Sequence, residues 1–211
     1  NESGKPPVIG VVGPVCSGKS TVARMMAREG FEHIDADALA HEVLNRPGTK
    51  RTLKDAFGET IFREDGSVDR EALSRIVFAD PEELRKLNRI VHPPVLEEIK
   101  ERVQRATGPV VLDAALLLET DLHRQCCDLL VYVDTPEHLR KRRAEKERGW
   151  ESEELHRRES AQLPLEEKKA KADLTIRNDR TEEKLRQNVK ELIEQIRQIF
   201  TEFSVPCPND S

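Results

Sequence analysis

Val8-Ile9-Gly10-Val11-Val12-Gly13-Pro14-Val15-Cys16-Ser17-Gly18-Lys19-Ser20-Thr21 is the stretch that decides the fold. Five apolar residues predict a buried strand, and Gly13 through Ser20 fit the phosphate-binding pattern G-x-x-x-x-G-K-[ST], with a helix expected from Lys19. Gly13 and Gly18 let the backbone bend so that successive N–H groups face an anion. The start of the helix adds the positive end of its dipole. Lys19 supplies a point charge for the β- and γ-phosphates, and the Ser20 hydroxyl suits Mg²⁺. Thr21 is either an ordinary first-turn residue or an α-phosphate contact. The pattern predicts binding of a nucleoside triphosphate through residues 13 to 21.

Working outward, apolar runs recur between helical patterns. Strands are expected at 8–12, at 31–34 ending on Asp35, at 110–113, at 129–134 and at 172–176. Apolar strands alternating with helices imply a parallel sheet covered on both faces, with ligands beyond the carboxyl ends of its strands. Asp35 with Asp37, Asp113 and Asp134 fall there. Asp35 reads as a strand-end cap or magnesium-water ligand as readily as a catalyst, and Asp113 as a carboxylate in the second sphere of magnesium or as the plain end of its strand. Residues 38–107 read as a helical insertion punctuated by Pro47-Gly48, Asp65-Gly66, Asp80-Pro81 and His92-Pro93-Pro94. Residues 139–168 are densely charged and read either as a solvated helix pair of mixed charge or, given the phosphate loop, as a mobile lid closing arginines over a triphosphate. The final helix, 182–200, carries Leu185, Val189, Leu192, Ile193, Ile196 and Phe200 on one face, which packs on the sheet.

The chain has 211 residues, 36% of them hydrophobic, and a net charge of −5. That suits one α/β core with insertions, and argues against nucleic acid or an anionic membrane as a partner. Apolar stretches such as Ala114-Ala115-Leu116-Leu117-Leu118 are too short to span a bilayer, and no leader peptide is evident. Cys16, Cys126, Cys127 and Cys207 have neither zinc nor disulfide spacing, so a cytoplasmic location is expected. Cys16 lies beside a helix N-terminus, which should lower its pKa, and its oxidation or alkylation should block nucleotide binding.

Phosphate loops serve GTPases, motor ATPases and small-molecule kinases alike. No guanine-reading N-K-x-D follows the later strands, and Ile34-Asp35-Ala36-Asp37 lies where a kinase holds its acceptor hydroxyl. In order, the loop, Ile34-Asp35-Ala36-Asp37, Ala40-His41-Glu42-Val43, Pro47-Gly48, Phe57-Gly58 and Asp65-Gly66-Ser67-Val68-Asp69-Arg70 are followed by further matching elements. These are Val77-Phe78-Ala79-Asp80-Pro81, Leu87-Asn88, His92-Pro93, Leu116-Leu117-Leu118-Glu119, Val133-Asp134-Thr135-Pro136, Ser160-Ala161-Gln162 and Ala172-Asp173 with Asn178. Along nearly its whole length the chain resembles the dephospho-coenzyme A kinase family.

That resemblance implies an α/β P-loop kinase with a five-stranded parallel sheet flanked by helices, a helical substrate-binding insertion and a lid. The core would comprise residues 1–37, 108–138 and 169–211, the coenzyme A domain 38–107 and the lid 139–168. It implies ATP-dependent phosphorylation of the 3′-hydroxyl of dephospho-coenzyme A, with Mg²⁺, in a monomer or weak homo-oligomer. Lys19 would hold the transferring phosphoryl group, Asp37 would orient or deprotonate the acceptor, and Arg142 would neutralise transition-state charge. Arg158 and Gln162 would be lid residues, and Asn178 part of the adenine pocket. Asp35, His92, Leu117 and Glu119 would serve the substrate, and Ser20 and Asp113 the metal. Pro14 and Cys16 stand at two positions where the family loop is usually glycine. A kinase for a nucleotide or small alcohol, or a non-catalytic ATP-binding relative, would show the same loop.

Overall fold

Every residue of Val8–Val12, the first strand (β1), is buried, which explains its unbroken apolar run. The structure, a computed structural model, describes residues 5–120 and 122–200; Cys207 and the end of the 169–211 segment lie outside them. In chain order β1 is followed by α1 (Lys19–Arg28), β2 (Glu32–Asp35), α2 (Ala36–Leu44), α3 (Pro47–Phe57), a 3₁₀ turn (Glu59–Ile61), α4 (Arg70–Ala79) and α5 (Pro81–Arg105). Then come β3 (Val110–Asp113), α6 (Leu122–Cys126), β4 (Leu129–Asp134), α7 (Glu137–Arg148), α8 (Ser152–Ser160), α9 (Leu165–Ala170), β5 (Leu174–Arg177) and α10 (Glu182–Ile199).

The strands form one parallel sheet in the order β2-β3-β1-β4-β5. The chain leaves β1 toward one edge, builds β2 and β3, and then crosses to build β4 and β5. The sheet therefore reverses its winding beside β1, and a doubly wound sheet offers its ligand crevice at such a switch point. Gly10, mid-strand, is required by packing: a Cβ there would lie 2.7 Å from the side chains of Leu117 and Leu130. One face of the sheet is covered by α1, through Val22, Met25 and Met26, and by α10, through Leu185, Val189, Leu192, Ile193 and Ile196. The expected apolar face of the last helix is thus the face it buries.

The chain divides into two units, one of Ala36–Glu101 and one of the described residues up to Asp35 and from Arg102 onward. Within the smaller unit, Pro47 is the first residue of α3, where its missing N–H costs nothing. The Asp65-Gly66 turn is closed by the Asp65 carboxylate accepting from Ser67 N at 2.9 Å, with Gly66 at φ +72°. Asp69 caps α4 by accepting from the backbone of Glu71 and Ala72. Expected punctuation at His92-Pro93-Pro94 is corrected, because α5 runs straight through both prolines. Each proline withholds one i→i−4 bond, and the helix continues on buried Val91, Val95 and Ile99.

Candidate active site

β1 ends at Val12 and the chain turns at Gly13, whose φ of +148° suits glycine alone. A Cβ there would meet the Val133 carbonyl at 2.9 Å. Ser17 N donates back to the Pro14 carbonyl at 3.2 Å, closing the turn. Cys16 is in the left-handed region at φ +59°, the one such non-glycine among the described residues, and Gly18 follows at +91°. The helix α1 then begins on Gly18 with no side-chain cap and no acidic residue in its first turn. Its opening N–H groups and its dipole are arranged for an anion.

The loop is held from behind by residues far away in sequence. The buried Ser17 carbonyl accepts from Asn178 Nδ2 at 2.7 Å, Thr135 Oγ1 at 2.9 Å and Arg143 Nη1 at 3.1 Å. Arg143 also donates to Asn178 Oδ1 at 3.1 Å and lies 3.4 Å from the Cys16 carbonyl. Lys19 reaches back over the start of the loop, donating to the carbonyls of Gly13 at 3.1 Å and Pro14 at 2.9 Å. Burial, then the charge of Lys168, pull the Lys19 ammonium down to about 8, and Asp113 opposes them.

Beside the loop, a cleft is lined by Gly13, Lys19, Ala114, Leu117, Glu119 and Lys168. Asp113 closes β3, nearly buried, with its Oδ2 3.9 Å from His33 Nε2. Asp35 is paired in register with Asp113 on the neighbouring strand. Ser20 is exposed in the first turn of α1, and Val15 and Thr21 are half-buried. Asp37 is exposed in the first turn of α2, and His92 is half-buried in α5, where burial lowers its pKa; both belong to the smaller unit.

Several expected roles meet different surroundings. Arg142 is exposed, whereas Arg143 reaches the loop. The buried face of α7 is set by Arg140 and Ala144, and i, i+3, i+4 spacing puts 143 on that side and 142 off it. That periodicity was the available signal. The Asn178 amide is engaged by Ser17 and Arg143 behind the loop. Leu117 is 1% exposed and packs on Gly10, while Leu116 is the exposed leucine of the segment, at 44%. The expected activation of Cys16 is corrected: burial raises its pKa, outweighing the lowering by Arg148 and Lys19. Lys168, which the sequence reading passed over, is 2% exposed and pairs with Glu119 at 2.7 Å.

A glycine-bent loop at the switch point of a parallel sheet, crowned by a lysine and opening an uncapped helix, defines a P-loop protein that binds phosphate. A Thermus thermophilus protein of known structure, TT1252, shares this fold at TM-score 0.80 and 35% identity, over 91% of this chain and 98% of its own. Residues 7–184 match the dephospho-CoA kinase family, and the chain belongs to that family. The dephospho-CoA kinase of Carboxydothermus hydrogenoformans is 37% identical over 195 residues, covering 89% of this chain and 93% of the relative. That of Campylobacter jejuni superposes at TM-score 0.68 and 24% identity, over 90% of this chain and 97% of its own. The chain is accordingly a transferase of the kinase type, and no described helix is long and apolar enough to cross a membrane.

Proposed function

We propose that this chain transfers the γ-phosphoryl group of ATP to the ribose 3′-hydroxyl of dephospho-coenzyme A. The observation that carries the reading is the braced glycine loop with Lys19 folded back over it at the start of α1. Phosphoryl transfer asks a protein chiefly for positioning and charge neutralisation. The N–H groups between Val15 and Ser20, together with the α1 dipole, receive the phosphates, and Lys19 neutralises charge on the transferring group. Pro14 contributes no N–H to this cradle.

The Ser20 hydroxyl and the Asp113 carboxylate form a donor set suited to Mg²⁺, which keeps waters and substrate phosphates as its other ligands. A bound Mg²⁺ would neutralise phosphate charge during transfer, held by Ser20 and Asp113. Asp37, at the carboxyl end of the sheet's edge strand by chain position, orients the acceptor hydroxyl. Phosphoryl transfer asks chiefly for positioning, so orientation is the larger contribution of Asp37. In this reading Arg142 neutralises transition-state charge, while Arg143, donating to the Ser17 carbonyl, braces the loop from behind. The unit Ala36–Glu101, with His92, takes the acceptor substrate, and residues 139–168 act as the lid.

The test is ADP release with Mg-ATP and dephospho-coenzyme A beside AMP, CMP and shikimate, in wild type, Lys19→Ala, Asp37→Asn, Arg142→Ala and Arg143→Ala. Turnover with dephospho-coenzyme A alone, lost in Lys19→Ala and Asp37→Asn and cut by both Arg142→Ala and Arg143→Ala, is expected. Turnover of another acceptor, or none despite ATP binding, would overturn the assignment.

A further inference from the structure

We propose that Lys168 is a positioning residue for phosphoryl transfer, acting through Glu119 at the wall of the phosphate cleft. The inference rests on the reading above and extends it to two residues outside the loop. Lys168 sits on α9, where the chain returns from the charged segment, and its side chain is 3% exposed. Its ammonium meets Glu119 Oε1 at 2.7 Å and Gln162 Oε1 at 2.6 Å. The same Glu119 oxygen accepts from Leu163 N at 3.1 Å. Glu119 therefore ties both ends of the returning arm, 162–168, to the segment following β3.

The location gives this knot a chemical meaning. Glu119 and Lys168 line the same cleft as Gly13 and Lys19. A carboxylate facing a triphosphate repels it, and in a cleft with little water that repulsion is weakly screened. Lys168 cancels the charge while leaving Glu119 free to hold the arm. A purely structural tie would not need buried charges, since apolar replacements of buried ion pairs are often neutral or stabilising. Removing only one partner, in contrast, leaves the other charge uncompensated.

Three variants of the full-length protein test this: Lys168→Met, Lys168→Arg, and the double variant Glu119→Gln/Lys168→Met. The readouts are thermal midpoint, kcat, and KM for Mg-ATP and for dephospho-coenzyme A separately. Lys168→Met exposes the Glu119 charge to the phosphates and should raise the Mg-ATP KM about tenfold or more, with the acceptor KM within about twofold. Lys168→Arg, which keeps the charge, should recover most of the loss. The double variant, with no charge left in the pair, should return the Mg-ATP KM toward wild type while kcat stays roughly tenfold low, because the arm loses its tie through Lys168 and keeps only the Leu163 N–H bond.

An unchanged Mg-ATP KM in Lys168→Met would overturn the proposal. So would losses in kcat and both KM values that simply follow the thermal midpoint, or full wild-type kinetics in the double variant. Calorimetric binding of Mg-ATP separates this from the function itself. If wild type binds Mg-ATP without turning over dephospho-coenzyme A, the proposed function falls, and the Lys168 inference then stands or falls on whether Lys168→Met weakens that binding.

Discussion

Asn178 and Ser17 are joined across 161 residues by one bond, the Asn178 amide donating to the Ser17 carbonyl at 2.7 Å. This contact couples the end of β5 to the phosphate loop, and Arg143 extends it by donating to Asn178 Oδ1. A Cβ on Gly18 would lie 2.5 Å from Asn178 Nδ2, so the loop glycine and the asparagine are matched in shape as well.

Replacing Asn178 with alanine deprives the buried Ser17 carbonyl of its shortest donor and Arg143 of one of its acceptors. Losing a buried hydrogen bond of this kind costs about 1–3 kcal/mol. The thermal midpoint should fall by several degrees, about 2–4 °C per kcal/mol for a chain of this size, and the Mg-ATP KM should rise. Denaturation scans and steady-state kinetics check both; a loss of stability with unchanged Mg-ATP KM would mean that the loop keeps its shape without this brace.

The parts of the molecule legible in sequence are those whose signal is local. Continuous apolar runs marked β1, β3 and β4, glycine spacing marked the loop, and one-sided Leu and Ile marked α10. Edge strands were placed less closely: β5 is Leu174–Arg177 rather than 172–176, and Asp173 leads into it, its backbone N–H donating to the Leu130 carbonyl at 2.9 Å and its carboxylate accepting from Leu130 N at 2.7 Å. The support of the site was not legible, since Thr135, Arg143 and Asn178 meet Ser17 only through tertiary folding. The Lys168–Glu119 pair was hidden for the same reason, one partner lying in a charged run and the other after a leucine cluster.

Lys19 carries a pH signature. Its folded-state pKa of about 8 lies below the ordinary 10.5, chiefly through burial and then through Lys168. A triphosphate favours the charged ammonium, so binding near pH 8 should take up protons, and affinity should fall as pH rises through about 8. Without nucleotide the sign is opposite. Between about 8 and 10.5 the unfolded chain holds a proton that the folded one has released, so this residue adds stability as pH rises there. Calorimetry in buffers of different ionisation enthalpy measures the uptake, and Lys19→Met should abolish it.

Cys16 separates backbone strain from thiol chemistry. A non-glycine residue in the left-handed region costs about 1–2 kcal/mol, and Cys16 sits there at φ +59°. Cys16→Gly should therefore be more stable than Cys16→Ala by about 1 kcal/mol, the alanine keeping the offending Cβ. The raised pKa makes the thiol a poor nucleophile at neutral pH. Iodoacetamide should modify it no faster than an ordinary cysteine, and mass spectrometry of the loop peptide follows both the rate and its protection by Mg-ATP. Equal stability of the two variants would show that the loop relaxes around the side chain.

Trp150, the chain's one tryptophan, reports on the charged segment. Gly149, left-handed at φ +63°, ends α7 and turns the chain so that Trp150 N donates to the Ala144 carbonyl at 3.1 Å. The ring then lies between two guanidinium groups, Arg158 at 4.0 Å and Arg148 at 4.7 Å from its centre. Each such stack is worth only about 0.5–1 kcal/mol at a solvent-accessible site, so a triphosphate competes readily for the arginines. Mg-ATP should shift and saturate Trp150 emission with the same midpoint as binding measured by calorimetry. Arg158→Ala should shift the nucleotide-free spectrum in the same direction and shrink the remaining response. Binding without any change in emission would mean that both arginines stay on the ring, and that closure over the phosphates falls to other residues of the segment.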